Sequence, residues 1–415
     1  MTKSPLVYKI RAIKTFGSSM MPLLRDGDVV FIKKIKFQKI KVNDIICIAK
    51  NGKIFTHRVI YKTKGYVITK GDNNNISDGK VYSRNILGTV YQIKRNGEVF
   101  SIETLYLMQS TLYFQEIITL KSKLEKERID FIFLKGLPLH LYFEKHHPKR
   151  IYADCDILIK GEDLHKVSSI LNSLGYGLLD TSISKWQKKL KGKDIELSFY
   201  KTINNFTVFF DIHLEVVFMM TQIGKLKEVY PQKLINSITW EFLRDKRNIE
   251  VNNEIFPILS TSNLFIYLTL HLYHHNFTGA YRFDFLAELI RKEPIDFREV
   301  SKILSKYRLE NFVYPCFFLL NKYYNVKFPT SFLKSIEPKG IAMRFIRKNI
   351  LSESIFDEKD RIGSGVKRFR NLFILSPNNI FEKIQIVLNP QILYAISWVI
   401  IRKFRIFIQV RSIRD

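Results

Sequence analysis

Cysteine is nearly missing from this 415-residue chain: Cys47, Cys155 and Cys316 stand far apart and odd in number. That excludes a disulfide framework, offers no metal-binding cysteine spacing, and fits a reducing compartment. Acids are scarce beside bases, 39 Asp and Glu against 67 Lys and Arg, for a net charge of +28. Long apolar runs are lacking too. The opening MTKSPLVYKIRAIKTFG holds no stretch fit for a signal peptide or anchor. The run QILYAISWVII reaches only about half of a spanning length. No transmembrane helix is predicted, and the expected location is the cytoplasm, with peripheral membrane contact left open. Internal repeats and low-complexity linkers are absent as well.

What is present is a 46% hydrophobic fraction, enough to bury cores for two or three domains. Basic residues are densest at the start of the chain. Residues 1–100 carry 20 Lys and Arg against six acids, Asp26, Asp28, Asp44, Asp72, Asp78 and Glu98. Such a surface attracts nucleic acid, anionic lipid or acidic substrates. A general compositional drift towards lysine and asparagine gives the same count, and the scattered lysines leave both open.

Residues 5–97 read as β structure. DVVFIKKIKF, DIICIAK, KIFTHRVIYKT, GYVITKGD and ILGTVYQIKR are β-branched runs separated by the turn signals RDGD, KNGK, TKGY and KRNGE. After Ser101 the period becomes helical in SIETLYLMQSTLYFQEIITLKSKLEKERI. Strand and helix patterns then alternate: DFIFLKG, LPLHLYFEK, RIYADCDILIK, EDLHKVSSILNSLG and FTVFFDIHLEVV. Beyond about residue 225 the chain is mostly helical and aromatic-rich.

Within the first segment, Ser19 in GSSMMPLLRDGDVVFI, His57 in FTHRVI and Asp78 in KGDNNNISDGK are the residue types of a serine hydrolase. A serine hydroxyl needs a base to take its proton, and a carboxylate orients that base. Sequence separation alone does not distinguish this from an ordinary turn serine, core histidine and surface acid. The words GSSMMPLLRDGDVVFI, VNDIICIA, THRVI, ITKGDNNNISD and ILGTV occur in this order over residues 11–91. Together they resemble the signal peptidase family, in its endoplasmic-reticulum and archaeal branch, which uses histidine as base. The resemblance implies Ser19 as nucleophile, His57 as general base and Asp78 as its support, with Asp72 a second acid in the same loop. It also implies an oxyanion site at the Ser19 amide and the Gly17–Ser18 loop, and no cofactor. Two departures stand out: Asn43 replaces the family's glycine, and about 16 polar and basic residues precede the serine where members carry a membrane helix. A soluble leader peptidase is the expectation. The related self-cleaving repressors share Ser-Met-x-Pro but use lysine, and THRV argues against them.

The second constellation is RIYADCDILIK, which places Asp154 and Asp156 on one face of a strand. Asp211 in FFDIHLE ends another strand. Three converging carboxylates hold Mg²⁺ against a nucleoside triphosphate, whereas exposed acids on an edge strand hold nothing. FIFLKGLPLHLYF, RIYADCDILIK, LNSLGYGLL, FFDIHLE and HLYHHNFTGAYRFDFLAELI resemble a nucleotidyltransferase-like family with a polymerase-β type core, over roughly residues 105–330. The resemblance implies Asp154, Asp156 and Asp211 as metal ligands, with Mg²⁺ and a nucleoside triphosphate as cofactors. Lys135 and Gly136 stand in place of the usual Gly-Ser phosphate loop. Lys135 either neutralises a phosphate or merely ends a strand. His271 and His275 are spaced for one helix face, yet no third ligand is obvious. Packing of His271 and His274 in the helical lobe, or exposure to a nucleotide pocket, is the competing reading.

The expected architecture is therefore multidomain: an all-β, signal-peptidase-like barrel over 1–97, a helical connector over 98–128, an α+β nucleotidyltransferase-like core over 129–225, and a helical lobe over 226–415. The basic, apolar end NPQILYAISWVIIRKFRIFIQVRSIRD, with Trp398, suits either an anionic membrane interface or a capping helix. The expected partner is a peptide or protein with a cleavable leader. Nucleic acid is not expected, since no zinc finger, RNA-recognition word or aromatic-basic stacking pattern occurs.

Overall fold

The computed structural model describes residues 12–152, 154–179, 195–204, 206–220, 229–358, 361–378 and 380–390. The basic, apolar end from residue 391 on, including Trp398, lies outside them. The chain divides into two compact units. The first is Met1–Leu112 with His146–Tyr152, and the second is Tyr113–Lys145 with Ala153–Asp415.

Eight strands form the antiparallel sheet of the first unit: β1 (Ala12–Lys14), β2 (Val29–Lys33), β3 (Ile45–Lys50), β4 (Lys53–Lys62), β5 (Val67–Lys70), β6 (Lys80–Val81), β7 (Ile86–Arg95) and β8 (Glu98–Ser101). The path runs β1-β2-β7-β3-β4-β5-β6, with β8 on β7. Among the described residues it is an open path and does not close into the expected barrel. Two of its turns were readable as Asn-Gly pairs. Asn51 and Gly52 link β3 to β4, and Asn96 and Gly97 link β7 to β8, all four at positive φ, the backbone a two-residue hairpin requires.

β3 ties the sheet to two cores. Its IICI run is buried on both faces. Ile45 and Cys47 join a core with Met20, Leu23, Leu24, Val30 and Tyr106, while Ile46 and Ile48 enter another with Ile40, Val59, Val67 and Val81. Each fully buried aliphatic contributes about 1.5–3 kcal/mol. Ile151 packs against the first of these cores, and Gln109 binds the main chain of Tyr152 through both ends of its amide, so the 146–152 segment is part of the unit.

Helix α1 (Ile102–Lys126) begins where the periodicity changes, and Ser101 Oγ accepts the Thr104 N–H at 2.9 Å as its cap. In the second unit, seven strands order as β11-β12-β13-β10-β9-β15-β14. They are β9 (Phe131–Lys135), β10 (Asp154–Ile159), β11 (Gly177–Leu178), β12 (Glu196–Ile203), β13 (Phe206–His213), β14 (Lys246–Val251) and β15 (Glu254–Leu259). β10 is thus the middle strand, parallel to β13 and antiparallel to β9. Helices α2 (Leu137–Glu144) and α3 (Leu164–Ser173) follow β9 and β10, and α4 (Gln232–Arg244) precedes β14. After β15 the described chain is helical, starting with α5 (Thr261–His274) and α6 (Ala280–Lys292) and running on to Leu388. No helix of the described residues is long and apolar enough to cross a membrane.

Candidate functional site

In the first unit, β4 carries His57 and the 71–78 loop between β5 and β6 brings Asp78 to it. His57 Nδ1 lies 2.7 Å from Asp78 Oδ2, and His57 Nε2 lies 3.1 Å from Ser19 Oγ. His57 is buried, at 7% exposure, which keeps water from competing for its ring nitrogens. Asp78 is itself held. Thr69 Oγ1 donates to the same Oδ2 at 2.7 Å, and the Asp78 N–H donates to the Thr69 carbonyl. Three residues 21 to 59 positions apart in sequence therefore form one continuous hydrogen-bonded line.

Asp72 has a different place. It does not touch His57 but forms a two-pronged pair with Arg58, Nε to Oδ1 and Nη2 to Oδ2, both at 2.6 Å. Arg58 Nη1 also donates to Asn43 O, Tyr106 Oη and Lys149 O. Burial works against the guanidinium charge, and Tyr106 and Asp72 more than offset it, so its pKa is raised further. The clamp matters because the next residues of the loop hold the serine. Asn73 N–H donates to Ser19 O at 2.8 Å. At Gly71 a Cβ would stand 2.6 Å from that same oxygen, so only glycine fits. Removing one partner of a buried ion pair costs about 3–5 kcal/mol. Arg58→Ala is accordingly expected to destabilise the protein by about 3 kcal/mol, near the low end because Asp72 is 20% exposed. Urea unfolding measures this, and a loss under about 1 kcal/mol would contradict the clamp.

The oxyanion assignment needs one correction. The Gly17 N–H is committed to Asp26 Oδ1 at 2.7 Å, because the 15–28 turn closes on itself there. Among the described residues the amides of Ser18 and Ser19 donate to nothing and remain available. Cys47 is buried in the adjoining core, and burial pushes its thiol up to about 11, so it is no rival nucleophile.

In the second unit, strand pairing builds the site. Asp156 stands directly across from Lys135 on β9 and from Asp211 on β13. Asp154, two residues from Asp156, shares its face. One oxygen from each of Asp154, Asp156 and Asp211 lies within 4.8 Å of the others. Because β10 is central, the edge-strand alternative does not apply. Lys135 Nζ bridges Asp154 Oδ2 at 2.6 Å and Asp156 Oδ2 at 2.5 Å. Burial opposes that ammonium charge, and Asp156 and Asp154 more than restore it. Burial, together with the Asp156 charge, pushes the Asp211 carboxyl up to about 7. Gly136 turns the chain out of β9 at φ +117°, where a Cβ would stand 3.1 Å from Cys155 Cα. The group so assembled is all hard oxygen donors, crowded to the point of mutual repulsion, and fits a divalent cation.

The sequence reading missed His213, whose Nε2 meets Asp156 Oδ1 at 2.7 Å. Burial disfavours its charge, and the hydrogen bond and charge of Asp156 outweigh this, raising its pKa. The signal was present: His213 follows Asp211 by two, so both face one side of β13. The α5 histidines form no metal cluster among the described residues. His271 and His274 pack their rings against Phe218 at 5.7 and 4.5 Å, and His275 packs on His271 at 4.6 Å. Burial first, and nearby cations second, hold all three imidazoles well below their usual pKa. They are neutral packing groups.

Comparison with known families agrees in outline with both halves. Residues 101–325 match the family described as "Uncharacterised nucleotidyltransferase", and residues 8–91 match "Peptidase S24-like". The second match does not single out the signal peptidase branch. No curated protein matches the chain. Two solved structures are similar. The antibiotic-resistance factor ANT(2″)-Ia covers 49% of this chain and 92% of its own, at 10% identity and a TM-score of 0.31. An antigenic nucleotidyltransferase-like protein from Paracoccidioides brasiliensis covers 56% and 92%, at 13% identity and 0.30.

Proposed function

The chain belongs to the uncharacterised nucleotidyltransferase family, whose match spans more than half of it, and from that premise we propose a fusion of two enzymes. The first unit is a serine endopeptidase that cleaves a leader or signal peptide. The second transfers a nucleotidyl group with Mg²⁺. The observation that carries the peptidase half is the line from Ser19 Oγ through His57 to Asp78.

In this mechanism Ser19 Oγ attacks the scissile carbonyl carbon as its proton passes to His57 Nε2. Asp78 holds the Nδ1–H tautomer and stabilises the imidazolium that results. The amides of Ser18 and Ser19 would donate to the developing oxyanion. His57 then returns the proton to the leaving amine, and water repeats the sequence on the acyl-enzyme. The test is a fluorophosphonate added to the full-length protein and mapped by mass spectrometry. An adduct on Ser19 that is lost in His57→Ala supports the reading; a folded protein with no adduct removes it.

For the second half, Asp154, Asp156 and Asp211 would hold the cation. When bound, it neutralises the triphosphate and activates an acceptor oxygen. Lys135 adds a fixed positive charge beside the phosphates, and His213 orients Asp156. A second reading, a nucleotide-binding regulator without metal chemistry, draws on the fact that Lys135 already bridges Asp154 and Asp156. Thermal unfolding with Mg²⁺ or Mn²⁺ separates the two. A cation at about 100 times its dissociation constant stabilises by about 2.7 kcal/mol, and Asp211→Asn is expected to remove most of that gain. An unchanged melting temperature at millimolar cation favours the regulator.

A further inference from the structure

Beside Ser19 lies a cavity of about 120 Å³ whose lining includes Ile13, Met20, Leu24, Phe55, Lys14 and Arg25. Its apolar part continues the core: Met20 and Leu24 are buried, and Ile13 packs against them. Its polar part is cationic. Lys14 is exposed and lies over the Phe16 ring at 5.7 Å, and Arg25 is half-buried. Among the described residues neither side chain has an acidic partner. The acids nearest in sequence are already committed. Asp26 accepts the Gly17 amide, and Asp28 accepts the Arg25 amide while paired with Arg95.

The same imbalance holds across the whole segment. Of the six acids in residues 1–100, Asp72 is spent on Arg58 and Asp78 on His57, and Asp44 accepts the Lys41 amide. Six acids against 20 Lys and Arg leave residues 1–100 with a net charge of +14. The net charge of the segment is therefore positive, and two of its bases line the cavity that contains Ser19.

We propose that Lys14 and Arg25 make the Ser19 site selective for peptides with an acidic side chain close to the scissile bond. This rests on the peptidase reading above and adds the substrate class to it. A cavity of roughly 150 Å³ takes a benzene ring, so this one has room for an aspartate or glutamate side chain. The carboxylate meets two cations that form no ion pair with an acid among the described residues, while the methylenes lie on Ile13 and Phe55. A low-dielectric wall strengthens that attraction. A lysine in the same position brings a third like charge.

The test uses the full-length protein and a randomised peptide library to find a cleaved sequence. Matched peptides then carry Glu, Gln or Lys at each position flanking the cut. At one of these positions, kcat/KM for Glu is expected to exceed that for Gln by about tenfold and that for Lys by up to about a hundredfold. The advantage should shrink as salt rises. The double variant Lys14→Glu with Arg25→Glu is expected to reverse the order. Should that variant not fold, Lys14→Gln, at an exposed position, should still lower the Glu-to-Gln ratio several-fold. Equal rates for Glu and Lys at every position overturn the inference, as does a Glu preference that persists in a folded charge-reversed variant. A fluorophosphonate has no side chain for the cavity, so it reports Ser19 alone. A labelled Ser19 without acidic preference refutes the selectivity only, whereas an unlabelled one removes the peptidase reading and this inference with it.

Discussion

Ser19→Ala is expected to lower peptide cleavage by a factor on the order of 10⁴ to 10⁶, and His57→Ala by about as much. The two effects should not multiply, because nucleophile and base work as one unit. With either gone, only binding and the backbone amides remain to lower the barrier. Asp78→Asn should be milder, about 10⁴ at most, since its part is to fix the His57 tautomer. Thr69, the second group on Asp78 Oδ2, would still hold the amide in place. The measurement is kcat/KM on one cleaved peptide across the three single variants and the Ser19→Ala, His57→Ala pair. A Ser19→Ala protein within about tenfold of wild type would put the nucleophile elsewhere.

Asp156→Asn is the second large effect. This carboxylate is central to the other site: it faces Lys135 and Asp211 across two strands, and it bonds Lys135 and His213. Its loss removes a buried ligand and a charge that Lys135 and His213 share. Metal-dependent release of pyrophosphate from a nucleoside triphosphate, with water as acceptor, should fall by at least about a thousandfold. The fold should survive, at a cost of about 1–3 kcal/mol, because the asparagine oxygen still accepts a hydrogen bond. Turnover within tenfold of wild type would mean that these acids serve the structure and not the chemistry.

Local rules settled a good deal of this protein. The Asn-Gly turns required positive φ, and the chain has it at Asn51 and Gly52. A period of two put Asp154 and Asp156 on one face, and the change of period at Ser101 marked the start of a capped helix. Each is a relation between residues a few positions apart, which is the range over which backbone geometry transmits information. The residue types for both sites were legible in the same way, and His213 could have been found by the period that placed the aspartates.

Tertiary structure alone decided the rest. That Asp72 serves Arg58 and not His57 follows from how the 71–78 loop folds over β4. That the Gly17 amide is spent on Asp26 follows from a turn closing nine residues away. Lys135 reads in sequence as the last residue of a strand; pairing β9 beside β10 makes it the counter-charge of two acids. The reason is common to all three. Hydrogen bonds and ion pairs depend on distances of about 3 Å, and loop closure and strand order, which these local patterns do not encode, set which residues come that close.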